Sequence, residues 1–210
     1  MSRTKKNPFT SKPVYAIVVD GDCESWYMSM IKRNEQSIKV DIKPEIPQKK
    51  KLKDQYERVL ELSRYYDKVI WIVDFDVINN ETLKAKRGAN TPLNEFKSYL
   101  GALKSLDTVS VIVNVPCLEY WFLLHFEMTS KYFSNCEDAN KQLKKHLKDY
   151  EKSQKYFTNK NNDIYLKLKD RLNTAFEHAE KLEAFDINNP YKGVTQMQIL
   201  FELLGLKEAT

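Results

Sequence analysis

Acidic side chains stand just beyond two apolar runs of strand length. Asp20 follows Val14–Val19, with Gly21, Asp22 and Glu24 behind it, and Asp74 and Asp76 follow Val69–Val73. Carboxylates gathered in one place repel, so without a cation at least one keeps its proton to an unusually high pH. A divalent cation relieves that repulsion, and hard oxygen donors select Mg2+ or Mn2+ over zinc. Strand alternation sends the carboxylates of Asp74 and Asp76 to one side and Phe75 to the other. The expected metal ligands are Asp20, Asp74 and Asp76. Glu24, one turn into the following helix, reaches the same space. Gly21 permits a tight turn in which backbone approaches a phosphate. Such a group suits metal-assisted phosphodiester hydrolysis, with Asp20 or Glu24 taking a proton from the attacking water or helping to hold a second cation. Each acid also has a plainer reading as a turn residue or helix cap. Two such motifs at matching ends of two central strands favour the shared pocket.

A third apolar run, Val109–Val113, ends at Asn114, and Glu119 lies one turn into the helix beyond it. Glu119 is either a catalytic group or ligand from that side, or a first-turn Glu favoured by the helix dipole. His125 follows Trp121 at i+4 on the same apolar helix. A lone His there is more often a satisfied core residue than a catalyst, and both readings stand. His146 and His178 have no metal-ligand spacing. Lys84, Lys86 and Arg87 read as a solvated loop.

The elements that must position these groups alternate. Val14–Val19 and Val69–Val73 are continuous apolar runs, as strands buried on both faces require. Ser37–Ile42 alternates like a half-buried edge strand. Helical spacing covers Cys23–Lys32, Leu52–Tyr66 and Pro116–His125, and Thr91-Pro92 caps and opens a helix through Leu103. Residues Val77–Asn90 read as a polar loop. After residue 130 no strand pattern remains, and Glu137–Tyr150, Ile164–Ala184 and Val194–Leu204 read as helices, the last stopped by Gly205. The fold class expected is α/β: a mostly parallel sheet of about four strands, helices on both faces, and a C-terminal helical region. Right-handed crossovers put the strand C-terminal ends on one edge, where ligands bind. The expected division is an α/β core over 1–130, with 1–12 a flexible tail, and a basic helical region over 131–210 packed on it.

The chain has 210 residues, a net charge of +5, 42% hydrophobic and 30% charged residues, an ordinary globular balance. Apolar runs fall well short of the roughly 20 residues of a membrane span. The basic start, Met1–Lys12, precedes no secretory-type apolar stretch. Cys23, Cys117 and Cys136, odd in number and widely spaced, argue against disulfides and for a reducing, cytoplasmic location. Between Lys131 and Lys169 stand ten Lys and five acids, interleaved with Tyr132, Phe133, Tyr150, Tyr156, Phe157 and Tyr165. That mixture suits either phosphate contact with base stacking or a solvated helical face over buried rings. A second basic run, Gln48–Lys53, precedes a helix.

Four segments carry a family resemblance. Asp20-Gly21-Asp22-Cys23-Glu24-Ser25-Trp26-Tyr27-Met28 resembles the EGxTExxYF opening of RloB-like proteins, and Asp74-Phe75-Asp76 their central DxD. Asn114-Val115-Pro116-Cys117-Leu118-Glu119-Tyr120-Trp121-Phe122-Leu123-Leu124-His125-Phe126 is similar to their NPCFExWLLLHF segment. Asn189-Pro190-Tyr191-Lys192-Gly193-Val194 resembles a closing NPxTxV element. The third is the most specific, and the order spans about residues 14–204. The resemblance implies a Toprim-like core, Mg2+ dependence, a nuclease role in phage defence, and a partner ATPase of the ABC/AAA type. Asp20 stands where the pattern has the Glu that acts as general acid/base, one methylene shorter, which matters when proton transfer needs atoms within roughly 3.2 Å. Val115 is an insertion in the third motif.

Three other readings compete with this one. A haloacid-dehalogenase-type phosphatase expects Thr or Val where Ile78 stands. A phospho-acceptor receiver expects Ser or Thr after the strand that ends at Asn114, and a fifth strand. A non-catalytic nucleic-acid-binding or regulatory subunit is supported by Asp20 in place of Glu.

Overall fold

The computed structural model describes residues 12–46, 51–86 and 88–207. Its strands are β1 Val14–Val18, β2 Asp41–Glu45, β3 Lys68–Asp74, β4 Val109–Val115 and β5 Val194–Thr195. They form one sheet in the order β2-β1-β3-β4-β5. The first four are parallel, and β5 is antiparallel to β4. The helices are α1 Asp22–Asn34, α2 Leu52–Leu62, α3 Phe75–Lys84, α4 Pro92–Leu103, α5 Leu118–Leu124, α6 Cys136–Leu143, α7 Gln154–Thr158, α8 Ile164–Lys169, α9 Leu172–Glu180 and α10 Met197–Leu203.

Alternation along each strand splits the core in two. Ile17, Val19, Ile42, Ile70, Ile72 and Ile112 face α1, α5 and the C-terminal helices. Ala16, Val18, Val69, Trp71, Val73, Val113 and Val115 face α2, α3 and α4. Both faces of β1 and β3 are therefore dry, which is why those strands read as unbroken apolar runs. The one polar group that Trp71 buries is answered, since its Nε1–H donates to Gln55 Oε1 at 2.8 Å. The α/β class, the parallel sheet and the helical C-terminal region stand as expected.

Several local expectations are corrected. Strand β2 lies at the edge, but over Asp41–Glu45 rather than Ser37–Ile42, with Asp41 in register with Val14. Ile38 is already buried in the core, so the apolar alternation began before the pairing did. The supposed loop after Asp76 is α3, which begins at Phe75 and is driven by burial of Phe75 and Ile78, three residues apart. Its Asn79, Asn80, Glu81 and Thr82 hid that pattern. The stretch Glu137–Tyr150 is helical only to Leu143, after which turns carry Tyr150 into the core. The stretch Ile164–Ala184 is two helices broken at Asp170-Arg171. A fifth strand exists after all: two residues of β5 are too few to show a period, and they pair with Asn114 and Val115.

The C-terminal helices are tied to α1 by a buried anion. Asp163, fully buried, accepts from Arg33 Nη2 at 2.6 Å and Asn34 Nδ2 at 3.0 Å, and its other oxygen caps α8 through Leu166 N–H. The cysteine expectation also fails. Cys117 and Cys136 form a disulfide, with their Cα atoms 5.6 Å apart across a sequence separation of 19, and Cys23 is left free. Wide spacing in sequence concealed their closeness in space. Among the described residues no helix is long and apolar enough to cross a membrane. Residues 1–11 of the expected tail lie outside the described residues.

Candidate metal centre

Asp20 sits in the bend between β1 and α1, and Glu24 occupies the first turn of α1. Asp74 is the last residue of β3, the strand beside β1. The tips therefore meet: Asp20, Glu24 and Asp74 each present an oxygen within 4.8 Å of the others. Gly21 makes room for this. A Cβ there would lie 2.3 Å from Glu24 Oε2, so the carboxylate folds back over a bare Cα.

The electrostatics match the crowding. Glu24 is only 6% exposed, and burial, followed by the charge of Asp20, pushes it up to about 8. Asp74 is also raised well above the carboxylate range, first by burial and then by Glu24 and Asp20. Three carboxylates in partial burial are poorly stabilised alone and well suited to a hard divalent cation. The three oxygens could together hold one such cation.

Asp74 is oriented from the far side of the sheet. Asn114, its register partner on β4, donates from Nδ2 to Asp74 Oδ1 at 3.3 Å. Asn114 Oδ1 in turn accepts the hydroxyl of Thr195, its register partner on β5, at 2.7 Å. One polar row, Thr195–Asn114–Asp74, crosses three strands. Asn114 and Thr195 are fully or nearly fully buried, so the row is shielded from water.

Asp76 does not point where strand alternation expected. The chain turns helical at Phe75, so Asp76 belongs to the first turn of α3; it is not one of the three oxygens within 4.8 Å of one another, but its charge still acts on Asp74 and helps to raise it. Its Oδ2 accepts the Cys136 N–H at 3.0 Å, and burial raises its titration. Glu119, 1% exposed, lies in the first turn of α5. Its Oε1 accepts from the Tyr150 hydroxyl at 2.6 Å and pairs with Lys152 Nζ at 2.7 Å. Burial alone would depress the Lys152 ammonium, but Glu119 outweighs it and holds the group above its ordinary value. Lys152 also acts electrostatically on Glu24 and Asp76, lowering both. His125 stands apart. It is fully buried, its Nδ1 donates to the Trp121 carbonyl at 3.0 Å, and burial drives its titration down to about 4.

Sequence reasoning did not single out Lys152, Thr195 or the Cys136 amide, and it flagged Tyr150 only as a ring, not as a donor to Glu119. Lys152 lay within the flagged basic stretch, but no spacing distinguished it from nine other lysines. Thr195 directly follows the closing element and could have been found there. Of the flagged aromatics, Phe133, Tyr150, Phe157 and Tyr165 are core, while Tyr132 and Tyr156 are half-buried. Lys131, Lys141 and Lys145 line a shallow groove beside Tyr132, whose hydroxyl accepts from Asn79 of α3. Lys51 lines a small cleft together with Asp20 and Asp74. Residues 48–50 of that basic run, and Arg87, lie outside the described residues.

A family model described as RloB-like protein matches residues 15–204. No curated protein and no solved structure matches the chain. The match runs from β1 through the end of α10 and takes in all the carboxylates above, so the chain belongs to the RloB-like protein family.

Proposed function

We propose that the protein is a divalent-cation-dependent nuclease that hydrolyses phosphodiester bonds in DNA or RNA, acting in phage defence beside an ATPase of the ABC/AAA type. The observation that carries this reading is the convergence of Asp20, Glu24 and Asp74 at the C-terminal edge of a parallel sheet, with oxygens within 4.8 Å of one another. Asp20 and Asp74 would hold Mg2+ or Mn2+. When bound, such a cation polarises the phosphate and lowers the pKa of a coordinated water. Glu24, displaced towards neutrality by burial, suits the proton acceptor, the part that the shortened Asp20 gives up. Asn114 and Thr195 orient Asp74, and the Cys136 amide orients Asp76. Lys152 offsets part of the negative charge. Lys51 in the cleft, and the Lys131, Lys141 and Lys145 groove, supply cations for a phosphate backbone.

The test is cleavage of DNA, RNA and tRNA pools with Mg2+ or Mn2+, with and without the neighbouring ATPase, for the wild type and Asp74→Ala. Cleavage that needs the cation and disappears in the variant supports the proposal. Asp20 in place of Glu favours a second reading, a non-catalytic nucleic-acid-binding subunit. It predicts binding without cleavage at every cation concentration.

A further inference from the structure

We propose that Cys117 and Cys136 are a reversible dithiol–disulfide pair, exchanging with a cellular dithiol, whose state sets how firmly Asp76 is held. Such a pair acts on Asp76 whether or not the protein cleaves nucleic acid.

The bond joins two turns that carry site residues. Cys117 precedes α5, which bears Glu119, and Cys136 opens α6 and gives its N–H to Asp76 Oδ2. With the bond closed, the ends of α5 and α6 are tethered and the amide is pinned against Asp76. With it open, that contact rests on one hydrogen bond and the packing of the intervening segment. Closing a loop of this separation restricts the chain, which is the usual stabilising effect of a cross-link.

The surroundings also fit the open state. Glu119 Oε2 lies 3.0 Å from Cys117 Sγ and 2.8 Å from Cys136 Sγ. Disulfide sulfurs carry no proton for a carboxylate, whereas two thiols carry two. Reduction therefore gives a buried acceptor new S–H donors while removing the tether, and each state has its own compensation. A cross-link with only a structural role has no need of a buried carboxylate against both sulfurs.

Access favours exchange at one end. Cys117 is 1% exposed, while Cys136 is partly open. The thiolate of a dithiol attacks Cys136 Sγ, the S–S bond breaks, and Cys117 leaves as a thiolate and takes up a proton. The second thiol of the reductant then attacks its own sulfur in the mixed disulfide and releases Cys136 as a thiolate. The Lys152 ammonium, 3.3 Å from Cys136 Sγ, stabilises that thiolate before protonation. Two electrons and two protons pass to the protein, and the reductant becomes a disulfide. Cys23 is the free cysteine and takes no part in the bond.

The full chain is equilibrated in buffers of varied reduced-to-oxidised dithiothreitol ratio, acid-quenched and alkylated, and the labels are assigned by peptide mass. Amide exchange is followed in parallel across 131–140. The expected result is that Cys117 and Cys136 gain labels together as the ratio rises while the circular dichroism stays native. Reduction should speed exchange at the Cys136 amide by roughly tenfold. Cys136→Ser should exchange like the reduced protein at every ratio, and Cys117→Ser serves if that variant does not fold. The proposal is overturned if the pair opens only on denaturation, or never closes. Equal exchange in the two states also overturns it. So do thiols that stay protected until a chelator is added, since Cys117, Glu119 and Cys136 would then be metal ligands.

Discussion

Replacing Glu24 by Gln should stabilise the metal-free protein, the opposite of what most buried substitutions do. Glu24 titrates near 8 in the fold against 4.5 ordinarily, so the fold prefers its neutral form. A carboxyl raised in this way contributes stability that is complete below its unfolded value and is lost as pH climbs through its folded value. Between pH 4.5 and 7 that loss is on the order of 3 kcal/mol. Gln has nearly the same shape, carries no charge, and can donate to Asp20 and Asp74. Glu24→Gln should therefore match the wild type near pH 4.5 in a chelator and melt roughly 6–12 °C higher at pH 7. Added Mg2+ should reverse the order of benefit. At a hundredfold excess over its dissociation constant, a cation bound only by the native state adds about 2.7 kcal/mol to the wild type. The variant, one negative charge poorer, should gain less. Thermal melts over pH 4.5–8.5, with chelator or with Mg2+, read both effects. Parallel pH profiles for the two proteins, or a variant less stable at pH 7 in chelator, would refute the account of the cluster.

Other expectations concern the groups around it. Asp74→Ala should abolish cation-dependent cleavage, while Asp76→Ala, removing a group outside the three-oxygen set, should lower it roughly 10–100-fold, as loss of an outer partner does. Equal effects in a rate assay would place Asp76 among the ligands. Gly21→Ala should leave the melting profile in chelator nearly unchanged but weaken Mn2+ binding by calorimetry, because its Cβ displaces the Glu24 carboxylate. Gly193→Ala should cost about 1–3 kcal/mol in denaturant melts, since its Cβ would meet the Lys131 carbonyl and the Tyr120 hydroxyl at 2.5 Å. Asp163→Ala, which breaks the Arg33 pair and uncaps α8, should destabilise by about 2–4 kcal/mol, and Asp163→Asn by less because the cap survives.

Much of the architecture was legible because burial on both faces leaves an unmistakable mark. Val14–Val19 and Val69–Val73 declare themselves as central strands by lacking any polar interruption before Asp20 and Asp74. Thr91-Pro92 announced α4 because a cap and a first-turn proline act through local backbone chemistry alone. Elements whose identity depends on distant partners were not legible. Strand β5 exists only because β4 offers it an edge, and α3 exists because Phe75 and Ile78 find the α4 side of the core. The break at Asp170-Arg171 interrupts an apolar spacing that continues unchanged across it.

Residue types and local spacing were enough to place acids just beyond the first and third strands, since strand periodicity and a following turn are short-range matters. Spacing likewise put Glu24 about one turn beyond Asp20. Which acids share a pocket was settled by long-range packing. Adjacency of β1 and β3 brought in Asp74, and the early start of α3 put Asp76 on a helix, where it accepts the Cys136 amide. It alone placed Lys152 on Glu119 and closed Cys117 onto Cys136, because a contact between residues far apart along the chain is set by how the helices pack on the sheet.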